Sequence, residues 1–162
     1  MKYHEVLRAA VLAAGGAAIG CVFLCIAPFA AAATLAVGTL SRRAAFAALG
    51  AMWLANQAIG FGFRHYPHDA STFAWGAAIL AATLVAAACA SRLRQLPLAF
   101  LAAFAGYEGT LFAYSLVVHE RGGFSATIVG EIFLANVAGA IVLGALRGIL
   151  DASLGDRLRA AR

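Results

Sequence analysis

Apolar residues run almost unbroken along this chain, and a few short polar segments divide them. The first run, Leu7 to Leu40, ends at Ser41-Arg42-Arg43, and the second, Ala44 to Phe63, ends at Arg64-His65-Tyr66-Pro67-His68-Asp69. Ser71 to Ala90 is followed by Ser91-Arg92-Leu93-Arg94-Gln95, Leu96 to Val118 by His119-Glu120-Arg121-Gly122-Gly123, and the last run is Ser125 to Leu146. The last four runs hold 20, 20, 23 and 22 residues, and about 20 apolar residues suffice for a helix to cross a bilayer core of roughly 30 Å. They are continuous and alanine-rich. The strands of an outer-membrane barrel would alternate with period two, so helices are expected.

The opening run is too long for one span and short for two, at 34 residues. Gly15-Gly16, Gly20 and Pro28 could break it, and proline suits the first turn of a new helix. The expected architecture is therefore an all-α bundle of six transmembrane helices in one domain, 1–162. The spans fall near 6–26, 28–41, 44–63, 71–90, 96–118 and 125–147, with a short C-terminal tail over 148–162. One long kinked first helix, leaving five spans, is the alternative. Met1-Lys2-Tyr3-His4-Glu5 before an apolar run resembles a signal peptide, but the further spans favour a retained first helix.

Composition narrows the class. The chain has 162 residues, 64% of them apolar and 12% charged, with a mean hydropathy of +0.88. Soluble domains carry about 45–50% apolar and about 25% charged residues. Too little polar surface remains to face water, which excludes a soluble enzyme, a disordered tail and a coiled coil. The net charge of +5 does not point to nucleic acid, because the basic residues sit in spacers between apolar runs. With six spans, Lys2, Arg8, Arg42, Arg43, Arg92, Arg94, Arg147, Arg157, Arg159 and Arg162 fall on one side, and Arg64 and Arg121 on the other. That ten-to-two split predicts both termini in the cytoplasm of a bacterial-type inner membrane.

The topology places His65, Tyr66, His68 and Asp69 on one outer loop, and His119 and Glu120 on the other. Interfacial His and Tyr are common. Two His with a carboxylate can also take a transition metal, so the metal question stays open. Deeper polar groups are more informative. Asn56 and Gln57 lie about 10 Å below the outer end of their span, Glu131 at similar depth on the last, and Glu108 and Asn136 nearer the middle. Tyr107 and Tyr114 share the helix of Glu108. Asn and Gln can simply join neighbouring helices. An acid at this depth costs roughly 2.5–3.5 kcal/mol and usually faces a cavity or a partner, and no Lys or Arg lies within the last four apolar runs, which end at Leu146, to pair with it. These groups occupy the outer half, so a pocket open to the outside is expected, lined by Asn56, Gln57, Tyr107, Glu108, Glu131 and Asn136. Trp53 would stack on a planar ligand, and His65, His68 and His119 would form the mouth. Trp75 fits the interfacial belt.

Small residues form stripes. Ala9, Ala13 and Ala17 share one, Ala10, Ala14 and Ala18 its neighbour, and Ala140, Gly144 and Gly148 repeat the device on the last span. Such stripes serve packing within a bundle or docking of another membrane subunit. Cys21, Cys25 and Cys89 form no CxxC and read as packing residues. No GxSxG, HExxH, Walker loop or dinucleotide fingerprint occurs. No enzyme activity and no cofactor are expected, and there is no ATP-binding domain.

In this layout the chain resembles the substrate-binding S-components of energy-coupling factor transporters. The resemblance rests on the paired stripes Ala9-Ala13-Ala17 and Ala10-Ala14-Ala18 and on the six-span layout read over the whole chain. It implies about six spans with cytoplasmic termini, a vitamin or metal-chelate pocket near the outer face, and docking of the first helices onto a transmembrane coupling subunit with ATPases. Metal-binding members carry Met-His at the N-terminus, whereas His4 here follows Met1-Lys2-Tyr3. The expected function is small-solute binding and uptake across the bilayer. A structural subunit of a membrane complex, and an ion- or proton-coupled carrier using Glu108 and Glu131, are the rival readings.

Overall fold

The computed structural model describes residues 3–22, 27–119 and 124–160, with nothing to be said of the side chains of 22 and 156–160. The last four apolar runs each form a helix and the first contains two, and no strand occurs among the described residues. The helices are α1 (Tyr3–Val22), α2 (Phe29–Thr39), α3 (Arg42–Gly62), α4 (Ala70–Ala90), α5 (Leu96–Val118) and α6 (Ala126–Ala160). Their starts have local causes. Ser41 caps α3, its hydroxyl accepting from the Ala44 amide, and Asp69 caps α4 by accepting from the Thr72 amide. Pro97 stands in the first turn of α5, where its missing N–H leaves no bond broken.

Four helices, α3, α4, α5 and α6 over Ala126–Gly155, are long and apolar enough to cross a membrane, as a multi-pass membrane protein requires. Their outward surface carries large apolar side chains, such as Leu54, Leu101, Leu134 and Ile141. The opening run divides into two helices at Pro28. The second, α2, has only 11 residues, about 16 Å, or half the hydrocarbon thickness. The expected tail over 148–162 is instead a continuation of α6, helical to Ala160.

The short helix is the centre of the molecule. Every residue from Phe29 to Ala36 is buried, and all five other helices pack on α2. Ala30, Ala31, Ala32 and Ala33 have no exposed surface, since methyl side chains let neighbouring backbones close in from every side. α1 lies between α3 and α6. Its two central glycines make room there: a Cβ on Gly16 would meet the Met52 sulfur at 2.5 Å, and one on Gly15 the Leu143 side chain at 2.9 Å.

Hydrogen bonds show which helix ends lie together. The Ser41 amide donates to Glu5 Oε1 (2.8 Å), and Arg8 pairs with Asp151 (2.8 Å), so the starts of α1 and α3 and the late part of α6 meet at one end. At the other, the Arg64 guanidinium donates to the Cys21 carbonyl. Gly139 of α6 meets the start of α2, where an added Cβ would stand 2.4 Å from Pro28 Cβ. Gly139→Ala is expected to lower stability by about 1–3 kcal/mol, as overpacking does. Gly144→Ala, with nothing within 4 Å, should leave it unchanged or slightly raised. Thermal unfolding of both variants in detergent checks the contrast, and equal midpoints would remove α2–α6 packing as the reason for Gly139.

Candidate functional site

A helix that begins inside a bilayer must find partners for its first amides, since no water is there to take them. Asn136 of α6, with no exposed surface, supplies them for α2. Its Oδ1 accepts from the Ala30 amide (3.1 Å) and the Ala31 amide (3.2 Å), while Nδ2 donates to the Ile132 carbonyl (3.0 Å). The Phe29 amide donates to the Ala27 carbonyl and the Ala32 amide to the Pro28 carbonyl, so the first turn is fully satisfied. Asn136 is thus a cap delivered from another helix.

The capped start of α2 meets α5 at Tyr107, the neighbour of Glu108 in sequence. Tyr107, buried, stacks its ring on Phe29 of α2 at 6.0 Å between centroids. Glu108 follows it and is 8% exposed. Both carboxylate oxygens are buried without a hydrogen-bond partner among the described residues. It is the thirteenth residue of α5, about 18 Å from the helix start, hence near mid-span. Four residues separate it from Phe104, so the two share a face. Phe104 meets Phe133 of α6 edge to face at 5.0 Å, which directs that face toward α6. Glu108 is thus an enclosed carboxylate that follows the buried Tyr107, one helical turn from Phe104 on the same helix.

The other residues expected around a pocket are dispersed. Trp53 donates its indole N–H to the Gly76 carbonyl of α4 (2.8 Å). The Gln57 amide fills the space where a Cβ on Gly76 would stand. Both fasten α3 to α4. Asn56 is half-buried on the same helix, and Glu131 is exposed on α6. His65 and His119 take left-handed backbone conformations, with φ of 54° and 61°, and are exposed, as is His68. His68 tilts against Phe61 at 5.2 Å, and Phe61 stacks on Phe73 at 4.9 Å. Trp75 and Tyr114 meet edge to face at 4.8 Å, joining α4 to α5. No three His, Cys, Asp or Glu converge in a metal-binding group among the described residues. Glu120, Arg121 and Cys25 lie outside those residues. Cys89 is half-buried against Gly106, while Cys21 is exposed on α1.

The stripes on α1 divide by face. Ala9 is buried in the core, Ala13 and Ala17 are half-buried, and Ala10, Ala14 and Ala18 are exposed. Two cavities lie at the basic end of the bundle. One, about 540 Å³, is lined by His4, Glu5, Arg8, Thr39 and Asp151. The other, about 400 Å³, lies among α2, α3 and α4. The ion cluster bordering the first, Arg8 and Arg147 on Asp151 (2.8 and 3.4 Å), was not singled out in the sequence. Its only local signal is the four-residue spacing of Arg147 and Asp151.

Asp69 is also a titration site outside the helices. Hydrogen bonds from the Thr72 backbone and side chain hold its carboxyl below the ordinary 3.8. A lowered native value means the stabilisation is present above the unfolded pKa and is lost as pH falls through the native one. Thermal unfolding below about pH 3.8 should therefore show a steeper decline in the wild type than in Asp69→Asn, an uncharged cap, with Glu5, held low by its hydrogen bonds with Ser41, contributing to the decline of both. A parallel decline in both would place the acid sensitivity elsewhere.

No protein-family model matches this chain, and neither a curated protein nor a solved structure is significantly similar to it.

Proposed function

We propose that this chain is a non-enzymatic inner-membrane protein that binds a small solute inside the bilayer and takes part in its uptake. The site is centred on Glu108 with Tyr107. The observation that carries this reading is the enclosed carboxylate at the middle of α5, without a hydrogen-bond partner among the described residues and next in sequence to the Tyr107 that stacks on the start of α2. Acids inside membranes mark solute and ion pathways, and short helices with an end at mid-membrane recur at transporter binding sites. The solute class that complements such a site is cationic, or a donor-rich neutral molecule. On this reading α1 makes the first of six passages and the half-length α2 belongs to the second, short one, and both termini face the cytoplasm. The contacts of Glu5 with Ser41 and of Arg8 with Asp151 support that arrangement by gathering the arginine-rich segments at one end.

Native mass spectrometry of the protein released gently from its own membrane tests the proposal. A small molecule retained by the wild type and absent from Glu108→Gln supports it. Equal retention by both removes Glu108 from the site, and an empty wild-type protein that also moves no solute or protons in liposomes removes the function. A second reading, a subunit docked on a larger membrane complex such as a coupling subunit with ATPases, is favoured by the exposed Ala10, Ala14 and Ala18 on α1. Copurification of a stoichiometric membrane partner without any small molecule would favour it.

A further inference from the structure

α4 packs closely on α2 and α5 and only thinly on α3, and at the basic end a cleft opens between α3 and α4. Its volume is about 400 Å³, within the roughly 300–1,000 Å³ of ligand sites. Val37 and Leu40 of α2 form the back, and Leu49, fully buried, the floor. Phe46 and Leu84 stand at the lips, 45% and 39% exposed. The cleft is thus apolar within and open at the side. Its rim is polar: Arg42 and Ser91 border it, and the Arg42 guanidinium lies over the Phe46 ring at 5.8 Å.

Charge decides what fits. No carboxylate pairs with Arg42, Arg43, Arg92 or Arg94 among the described residues; Asp151 is taken by Arg8 and Arg147, and Glu5 accepts from the Ser41 amide. Arg42 and Arg43 also occupy the first turn of α3, where the helix dipole disfavours cations, so helix stability does not account for them. An occupant must bring a hydrocarbon tail for the cleft and an anion for the rim. We propose that this cleft binds an anionic phospholipid, one acyl tail lying between α3 and α4 and the headgroup phosphate on Arg42. The bilayer presents such lipids at the depth of the rim, and basic residues there attract them. This site stands apart from Glu108 and does not depend on the solute-binding proposal.

Full-length protein, stripped of lipid in a neutral detergent, is offered phosphatidylglycerol or phosphatidylcholine at equal concentration and read by native mass spectrometry. The wild type is expected to retain one phosphatidylglycerol and little phosphatidylcholine. Arg42→Gln, at an exposed position, should lower that retention about fivefold. Ala88→Trp, on the exposed part of the cleft wall, should abolish it by filling the tail site, with helix content checked by circular dichroism. Arg94→Gln, outside the cleft, should change retention less than about twofold. Equal losses in Arg42→Gln and Arg94→Gln would reveal a diffuse basic surface and overturn the site. So would equal retention of the two lipids, or undiminished binding by folded Ala88→Trp.

Discussion

Asn136→Leu is expected to be the most destabilising single substitution in the protein, at about 2–5 kcal/mol. Leucine preserves most of the volume but removes the acceptor that the Ala30 and Ala31 amides have among the described residues, which leaves them unpaired in a water-free interior. Each such amide costs on the order of 1–3 kcal/mol, and the bilayer offers no substitute. Because all five other helices pack on α2, loosening its start weakens every one of those interfaces. Asn136→Asp retains an acceptor and places an anion at a helix N-terminus, so it should fall between the wild type and the leucine variant. The comparison is read from thermal and denaturant midpoints in detergent. If Asn136→Leu were as stable as the wild type, the cap would contribute nothing and α2 would be held by packing alone.

The second large effect has the opposite sign. Glu108→Leu is expected to raise stability, by about 2–3 kcal/mol on the scale of inserting an acid at mid-membrane, while abolishing solute retention. The carboxylate makes no hydrogen bond among the described residues, so its removal breaks none, and leucine nearly matches its volume. A residue that weakens the fold and serves only a ligand should show this opposition, since binding sites are commonly held at some expense of stability. A helix-joining role predicts the reverse, a loss of stability with binding unaffected. Glu108→Gln separates charge from shape: it should keep the fold and lose the solute if the anion is what binds. Unfolding midpoint and solute retention, measured on the same preparations, give both answers.

Much of the fold is legible along the chain because lipid imposes a coarse rule. A backbone in hydrocarbon must satisfy its own polar groups, so an apolar run of 20 or more residues becomes a helix. Proline at 28 marks a break, and Ser41 and Asp69 announce the next helix starts through short-range capping. The site was less legible. Glu108 and Glu131 sit in similar apolar surroundings on their helices, yet one is enclosed and the other exposed. Asn136 and Gln57 looked alike as pocket candidates, and they cap α2 and fill the space at Gly76. A helix with hydrocarbon outside and protein inside has no polar face opposite an apolar one, so its sequence carries little record of how it is rotated.

The sequence by itself determined the class of molecule, the approximate limits of α3, α4 and α5 and the start of α6, Pro28 as a place where the opening run could break, and the gathering of cations in alternate spacers. Each follows from the length, hydropathy and short-range chemistry of contiguous residues. Tertiary structure alone decided that the shortest helix lies at the centre, that Asn136 completes its first turn from 105 residues away, that Glu108 is enclosed without a partner, and that a cleft opens between α3 and α4 below Arg42. These depend on how closely alanine and glycine faces let helices approach and on the rotation of each helix about its own axis. Both are set by packing between distant segments.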